Sequence, residues 1–97
     1  MSNTKFTLGQ LVATPGALEA IEASGQSPDF FVEKHMRGDW GDVCPEDGES
    51  NNQALVNGGR LLSAYKTLKG RKIYILTEAT DDEGHRAATT ILLPDEY

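Results

Sequence analysis

The chain has one cysteine in 97 residues, so no intramolecular disulfide can brace it. No apolar run approaches the roughly 18 residues that cross a bilayer. The opening MSNTKFTLGQ has neither the apolar stretch nor the small-residue cleavage site of an export signal, and the expected location is the cytoplasm. Gly-x-Gly-x-x-Gly, P-loop, Cys-x-x-Cys, His-Glu-x-x-His and Ca²⁺-loop patterns are all missing, so no cofactor and no metal are expected. No internal repeat is present. Basic residues are scarce: nine Lys and Arg stand against fifteen Asp and Glu, for a net charge of −6. That balance speaks against a protein built to hold nucleic acid through its phosphates.

What is present is enough for one packed domain, residues 1–97. The 38 % hydrophobic content is grouped into segments, as in a folded chain. Charge is unevenly placed. Gly38 to Gly59 holds five acids and no base, whereas Arg60 to Lys72 holds five bases and no acid.

The pattern predicts an α+β fold. Thr7-Leu8-Gly9-Gln10 has capping-box form, and Leu8, Leu11 and Val12 follow at helical spacing, which predicts a short helix over 7–13. Thr14-Pro15 and Ser27-Pro28 each pair an N-cap with a proline at the first helical position. They predict helices over 15–24 and 28–37, ended by Gly25 and Gly38. The polar stretch CPEDGESNNQ reads as a loop, followed by a short helix over 49–56. Alternation then predicts three strands, 60–68, 71–79 and 86–93, with Gly70 in a tight turn between the first two. Short connections make them an antiparallel meander with the helices on one face. Leu62, Tyr74, Leu76 and Leu92 fall on the other face, where a second copy of the chain is one expected cover.

The stretch HMRGDWGDVC, His35 to Cys44, gathers a histidine, two aspartates and the only tryptophan. Read as structure, His35 packs at a helix end, where the C-terminal dipole favours its charged form. Trp40 plugs the corner, and Asp39 and Asp42 accept backbone N–H groups in the glycine turns. The same residues, Asp39, Trp40 and Asp42, form a candidate contact surface. Cys44 lies among acids, which disfavour a thiolate.

Two further constellations carry chemistry. Metal-independent RNA cleavage needs a base, an acid and a phosphate clamp; His35, His85, Glu78, Arg60, Arg86 and Tyr65 are of suitable type, and His35, Glu78 and Arg86 are the candidates for base, acid and clamp. Helices followed by a meander is also the layout of barnase- and RelE-like ribonucleases, an analogy of fold alone. The hairpin bases Lys66, Lys69, Arg71 and Lys72 form a basic patch that suits weak nucleic-acid binding.

The blocks TPGALEAIEASG, HMRGDWGD, NGGRLLSAY, IYILTEAT and TTILLPDEY, in this order from Phe6 to Tyr97, resemble a family of short uncharacterised bacterial proteins, many from plasmid- or prophage-like surroundings. The stretch TEATDDEGHRAATT is several residues longer than the family's corresponding turn, and Arg86 falls at the family's arginine. The resemblance implies a cytoplasmic bacterial domain and no established activity. The function expected from all this is a non-enzymatic interaction or regulatory module with a protein partner. A ribonuclease and a nucleic-acid binder are the alternatives.

Overall fold

A computed structural model describes residues 4–97 of the chain. The first two Pro-initiated helices form as their caps direct. α1 (Pro15–Ala23) starts with the Thr14 hydroxyl accepting from the Ala17 N–H, and α2 (Pro28–Met36) starts with Ser27 accepting from the Asp29 N–H. Each satisfies a donor that the first helical turn leaves without a partner. α3 (Pro45–Asn57) follows, then β2 (Leu61–Lys66), β3 (Lys72–Thr77) and β4 (Ala88–Leu92), and a 3₁₀ turn spans Pro94–Glu96.

Two expectations need correction. The segment predicted as a helix over 7–13 is instead a strand, β1 (Gln10–Ala13), running parallel to β4. Gly9, at φ +66°, breaks the helical path just before it. The sheet is therefore four-stranded and mixed, in the order β1-β4-β3-β2, not a three-stranded meander. β2, β3 and β4 do pair antiparallel within it. The third helix begins at Pro45, four residues before the expected start. Proline at the first position and Glu46 and Asp47 in the first turn suit a helix N-terminus better than the polar composition suits a loop.

The helices bury one face of the sheet. Ala17, Ala20 and Ile21 of α1 and Phe31 and Val32 of α2 pack on Tyr65, Ile73, Ile75 and Ile91. A second cluster joins Trp40, Ala54 and Leu61. On the other face Leu62, Tyr74, Leu76 and Thr90 remain half-buried. No helix among the described residues is long and apolar enough to cross a membrane.

The β2 edge is closed by the chain itself. Ala64 donates to the Trp40 carbonyl and accepts from the Asp42 N–H, while the Asn51 amide both donates to and accepts from the Leu62 backbone. Gly41 makes this approach, at φ +73°, with space for a Cβ only 2.1 Å from the Ala64 oxygen and 2.6 Å from the Tyr65 ring. Gly25 has nearly the same φ, +70°, but open space around it. Gly25→Ala is therefore expected to cost about 1 kcal/mol for the left-handed backbone alone. Gly41→Ala adds a steric clash, for roughly 2–3 kcal/mol in total. Urea unfolding of both variants measures the difference, and equal losses would remove the close approach as its cause.

Candidate functional site

His35 leaves α2 one residue before its end and enters the space between helix and sheet with no exposure to solvent. Three strands present a hydroxyl there, because Ser63, Thr77 and Thr89 all lie on the inward face. The His35 Nδ1 lies 2.5 Å from the Ser63 Oγ, and Nε2 lies 2.8 Å from the Thr77 Oγ1. Thr77 Oγ1 lies 2.8 Å from Thr89 Oγ1, which in turn donates to the Leu8 carbonyl at 2.8 Å.

The direction of every bond follows from that last acceptor, since a carbonyl oxygen only accepts. Thr89 gives its one proton to Leu8, so Thr77 donates to Thr89. Thr77 must then accept from Nε2–H, which leaves Nδ1 as the acceptor of the Ser63 proton. The chain is complete for a neutral imidazole, and a second ring proton would require the Ser63 hydroxyl to reverse its role. Burial, reinforced by the nearby positive charge of Arg86, lowers the His35 pKa from 6.5 to about 4. The expectation that a helix dipole would favour the charged form is overturned, because desolvation outweighs it.

Serine donating to histidine is the pairing of a nucleophile and its base. Here both residues are fully buried, beneath a strap in which Phe6 packs edge-on to the His35 ring at 5.1 Å. The Lys5 N–H also donates to the Met36 carbonyl, holding this strap on α2. The dyad supports the fold and offers no opening to a substrate.

Arg86 is also directed inward. Its Nη1 donates to the Gly59 and Glu78 carbonyls at 2.7 and 2.9 Å, and Nη2 donates to the Ala54 carbonyl at 3.3 Å. The guanidinium stands 5.8 Å from the Phe6 ring centre. It makes no ion pair among the described residues. The three carbonyls and the C-terminal end of α3 supply the negative field that a carboxylate otherwise would. A groove of about 430 Å³ passes Arg86 between Phe6 and Thr80. Glu78 meets Arg86 through its backbone carbonyl and not through its carboxylate. His35, Glu78 and Arg86 are thus not assembled as base, acid and clamp around one cleft.

The corner at residues 38–44 divides. Trp40 is buried, donates from Nε1 to the Asn52 Oδ1 at 3.0 Å and stacks with Phe6. It belongs to the core and is withdrawn from the contact surface expected of it. Asp39 accepts from the Gly41 N–H as expected and lies 3.8 Å from Lys34, and its backbone carbonyl accepts from the Tyr65 hydroxyl. That buried phenol has its pKa raised, chiefly by desolvation. Asp42 is exposed and bonds through its N–H rather than its side chain.

The basic hairpin is the one set of candidate residues that all reach solvent. Lys66, Lys69, Arg71 and Lys72 are exposed, and none makes an ion pair among the described residues. Lys72 lies over the Tyr74 ring, and the charge of Arg71 reaches Glu96 and helps lower that carboxyl's pKa, after the hydrogen bonds from Leu93 and Thr14. The tip is fixed from outside the sheet: Gln26 accepts from the Leu68 N–H and Ser24 from the Lys69 N–H. Thr67 accepts from the Arg71 and Gly70 N–H groups within the turn. Leu68, at its apex, is 80 % exposed. Sequence alternation located the bases, but nothing in it signalled that the α1–α2 connection would pin the tip.

Among the described residues, no three His, Cys, Asp or Glu side chains gather as a metal-holding group. No protein-family model matches the chain, and no curated protein or solved structure shows significant similarity to it.

Proposed function

We propose that this protein is a non-enzymatic interaction module that engages an acidic segment of a protein partner through the tip of the β2–β3 hairpin. The observation that carries this reading is the hydrogen-bonded tip, with an exposed leucine and four exposed cations that make no ion pair among the described residues, on a chain of net charge −6. A backbone already held in place has less to lose on binding, and its clustered cations steer an acidic partner to one end of the molecule. Leu68 gives such a partner an apolar contact that a phosphate backbone has no use for. The His35 and Arg86 side chains of the ribonuclease alternative are engaged internally, which supports assigning the working surface elsewhere.

The reading is tested by fluorescence anisotropy with a labelled peptide of alternating Glu and Leu, beside a single-stranded RNA of equal charge. The peptide is expected to bind more tightly than the RNA at low salt. Lys69→Glu with Arg71→Glu should weaken it by about tenfold or more, through two exposed charge reversals. Stability should stay within about 0.5 kcal/mol, as is usual for surface substitutions. Preferential RNA binding lost in the same variant would favour the nucleic-acid alternative. Peptide binding unaffected by the reversals would remove the hairpin from the interaction.

A further inference from the structure

The two edges of the sheet are treated differently. The β2 edge is covered by Trp40–Asp42 and the Asn51 amide. Among the described residues the β1 edge is bare. Gln10 donates to Ala87 and Thr14 to Ile91, so the even-numbered residues of this parallel strand turn their backbone groups toward β4. Leu11 and Ala13 consequently turn theirs outward, and no partner for their N–H groups occurs among the described residues. β1 is short, at four residues, and the other ordinary guards of an edge strand are a lysine, a proline or a bulge. Gln10-Leu11-Val12-Ala13 has none of these, and Leu11 and Val12 are 43 % and 42 % exposed.

We infer that the β1 edge is a self-association site, where a second copy of this chain adds its own β1 antiparallel to form a continuous eight-stranded sheet. Electrostatics favour a second copy. A chain of net charge −6 repels itself over most surfaces, but Thr7 to Thr14 contains no charged side chain. The segment is also its own complement. A two-fold axis beside Val12 sets Leu11 of each copy against Ala13 of the other in hydrogen-bonded pairs. Four backbone bonds form: each copy's Leu11 N–H donates to an Ala13 carbonyl, and each Ala13 N–H to a Leu11 carbonyl. The two Val12 side chains then meet at the closely spaced, non-hydrogen-bonded position. Val12 lies in register with Thr90 and, through β3, with Leu76 and Leu62. The half-buried face of one copy therefore continues into that of the other.

Sedimentation velocity of the full chain across micromolar to millimolar concentration tests this. The expected wild-type species is a dimer, twice the 10.5 kDa of the chain. Val12→Lys places two like charges directly opposite and should raise the dissociation constant by about tenfold or more. Leu11→Pro removes an outward N–H from each copy without touching the pairing to β4, and should weaken the dimer independently. Circular dichroism and urea midpoints identify any variant that has lost its fold, so either variant alone suffices for the test. A wild-type monomer at every concentration overturns the inference. So does a dimer that withstands both substitutions but dissociates with Leu76→Lys, which would seat the second copy on the sheet face.

Discussion

Arg86→Met is expected to destabilise the protein by about 4 kcal/mol and to lower its melting temperature by roughly 15 °C or more. Arg86 is 7 % exposed, and its guanidinium is the donor for the Gly59, Glu78 and Ala54 carbonyls. Methionine fills much the same volume and retains the contact with Phe6, so the loss isolates the polar role. Three carbonyls then lose a charged donor, two of them part-buried and one, Ala54, keeping the Gly58 N–H, and each hydrogen bond to a charged group contributes about 1.5–3 kcal/mol before the losses overlap. The bonds join the last turn of α3, the connection into β2 and the end of β3, so the damage spreads across three elements.

Arg86→Lys keeps the charge but replaces a planar fork with a single ammonium, which cannot reach all three carbonyls at once. It should recover less than half of the loss. Urea unfolding measures both variants. An Arg86 that served chiefly to clamp a bound phosphate would leave the unligated protein's stability nearly unchanged on substitution. A loss below about 1 kcal/mol would therefore return Arg86 to the list of candidate ligand-binding groups.

How much of this could be read in advance varied with the distance over which each feature is determined. Thr14-Pro15 and Ser27-Pro28 are local signals, and both helices start where they direct. The alternation of Leu61 to Lys66 and Lys72 to Thr77 around Gly70 likewise needs only neighbouring residues. β1 is different. Leu8, Leu11 and Val12 have helical spacing, but pairing of Gln10 with Ala88 decides the outcome, and nothing local reports a partner so far along the chain. The start of α3 is obscured because its first two turns are polar, although Pro45, Glu46 and Asp47 are a local start signal.

The candidate site divides in the same way. The basic hairpin was legible because charge and turn are local. The role of Arg86 was not, because its three acceptors come from separate elements. The partners of His35 left one trace: Ser63, Thr77 and Thr89 occupy inward positions of three successive strands. Three hydroxyls on an otherwise apolar face require a polar partner, and the histidine one residue before the α2 end supplies it.

That buried chain makes acid sensitivity the second large expected effect. A histidine whose folded pKa lies below its unfolded value stabilises the fold fully above the unfolded pKa, and the contribution is lost as pH falls toward the folded value. For His35 the window runs from 6.5 down to about 4. The loss across it is about 3 kcal/mol, a large fraction of the stability of a domain this size. Asp81 and Glu96 also have lowered pKa values, through backbone hydrogen bonds first, so their contributions fade as pH falls through the carboxylate range, below most of the His35 window. The slope between pH 6.5 and 5 should therefore belong mainly to His35. Protonation there requires a proton on Nδ1, where Ser63 already donates, so the Ser63 hydroxyl must reverse from donor to acceptor and a second positive charge must be buried near Arg86. His35→Gln retains one donor and one acceptor but does not titrate. It should be less stable at pH 7 than wild type and nearly flat between pH 6.5 and 5. Urea unfolding at intervals across that range gives both slopes. Equal slopes in the two proteins would assign the acid sensitivity to other groups and would mean that the ring is not held in its neutral form by this chain of hydroxyls.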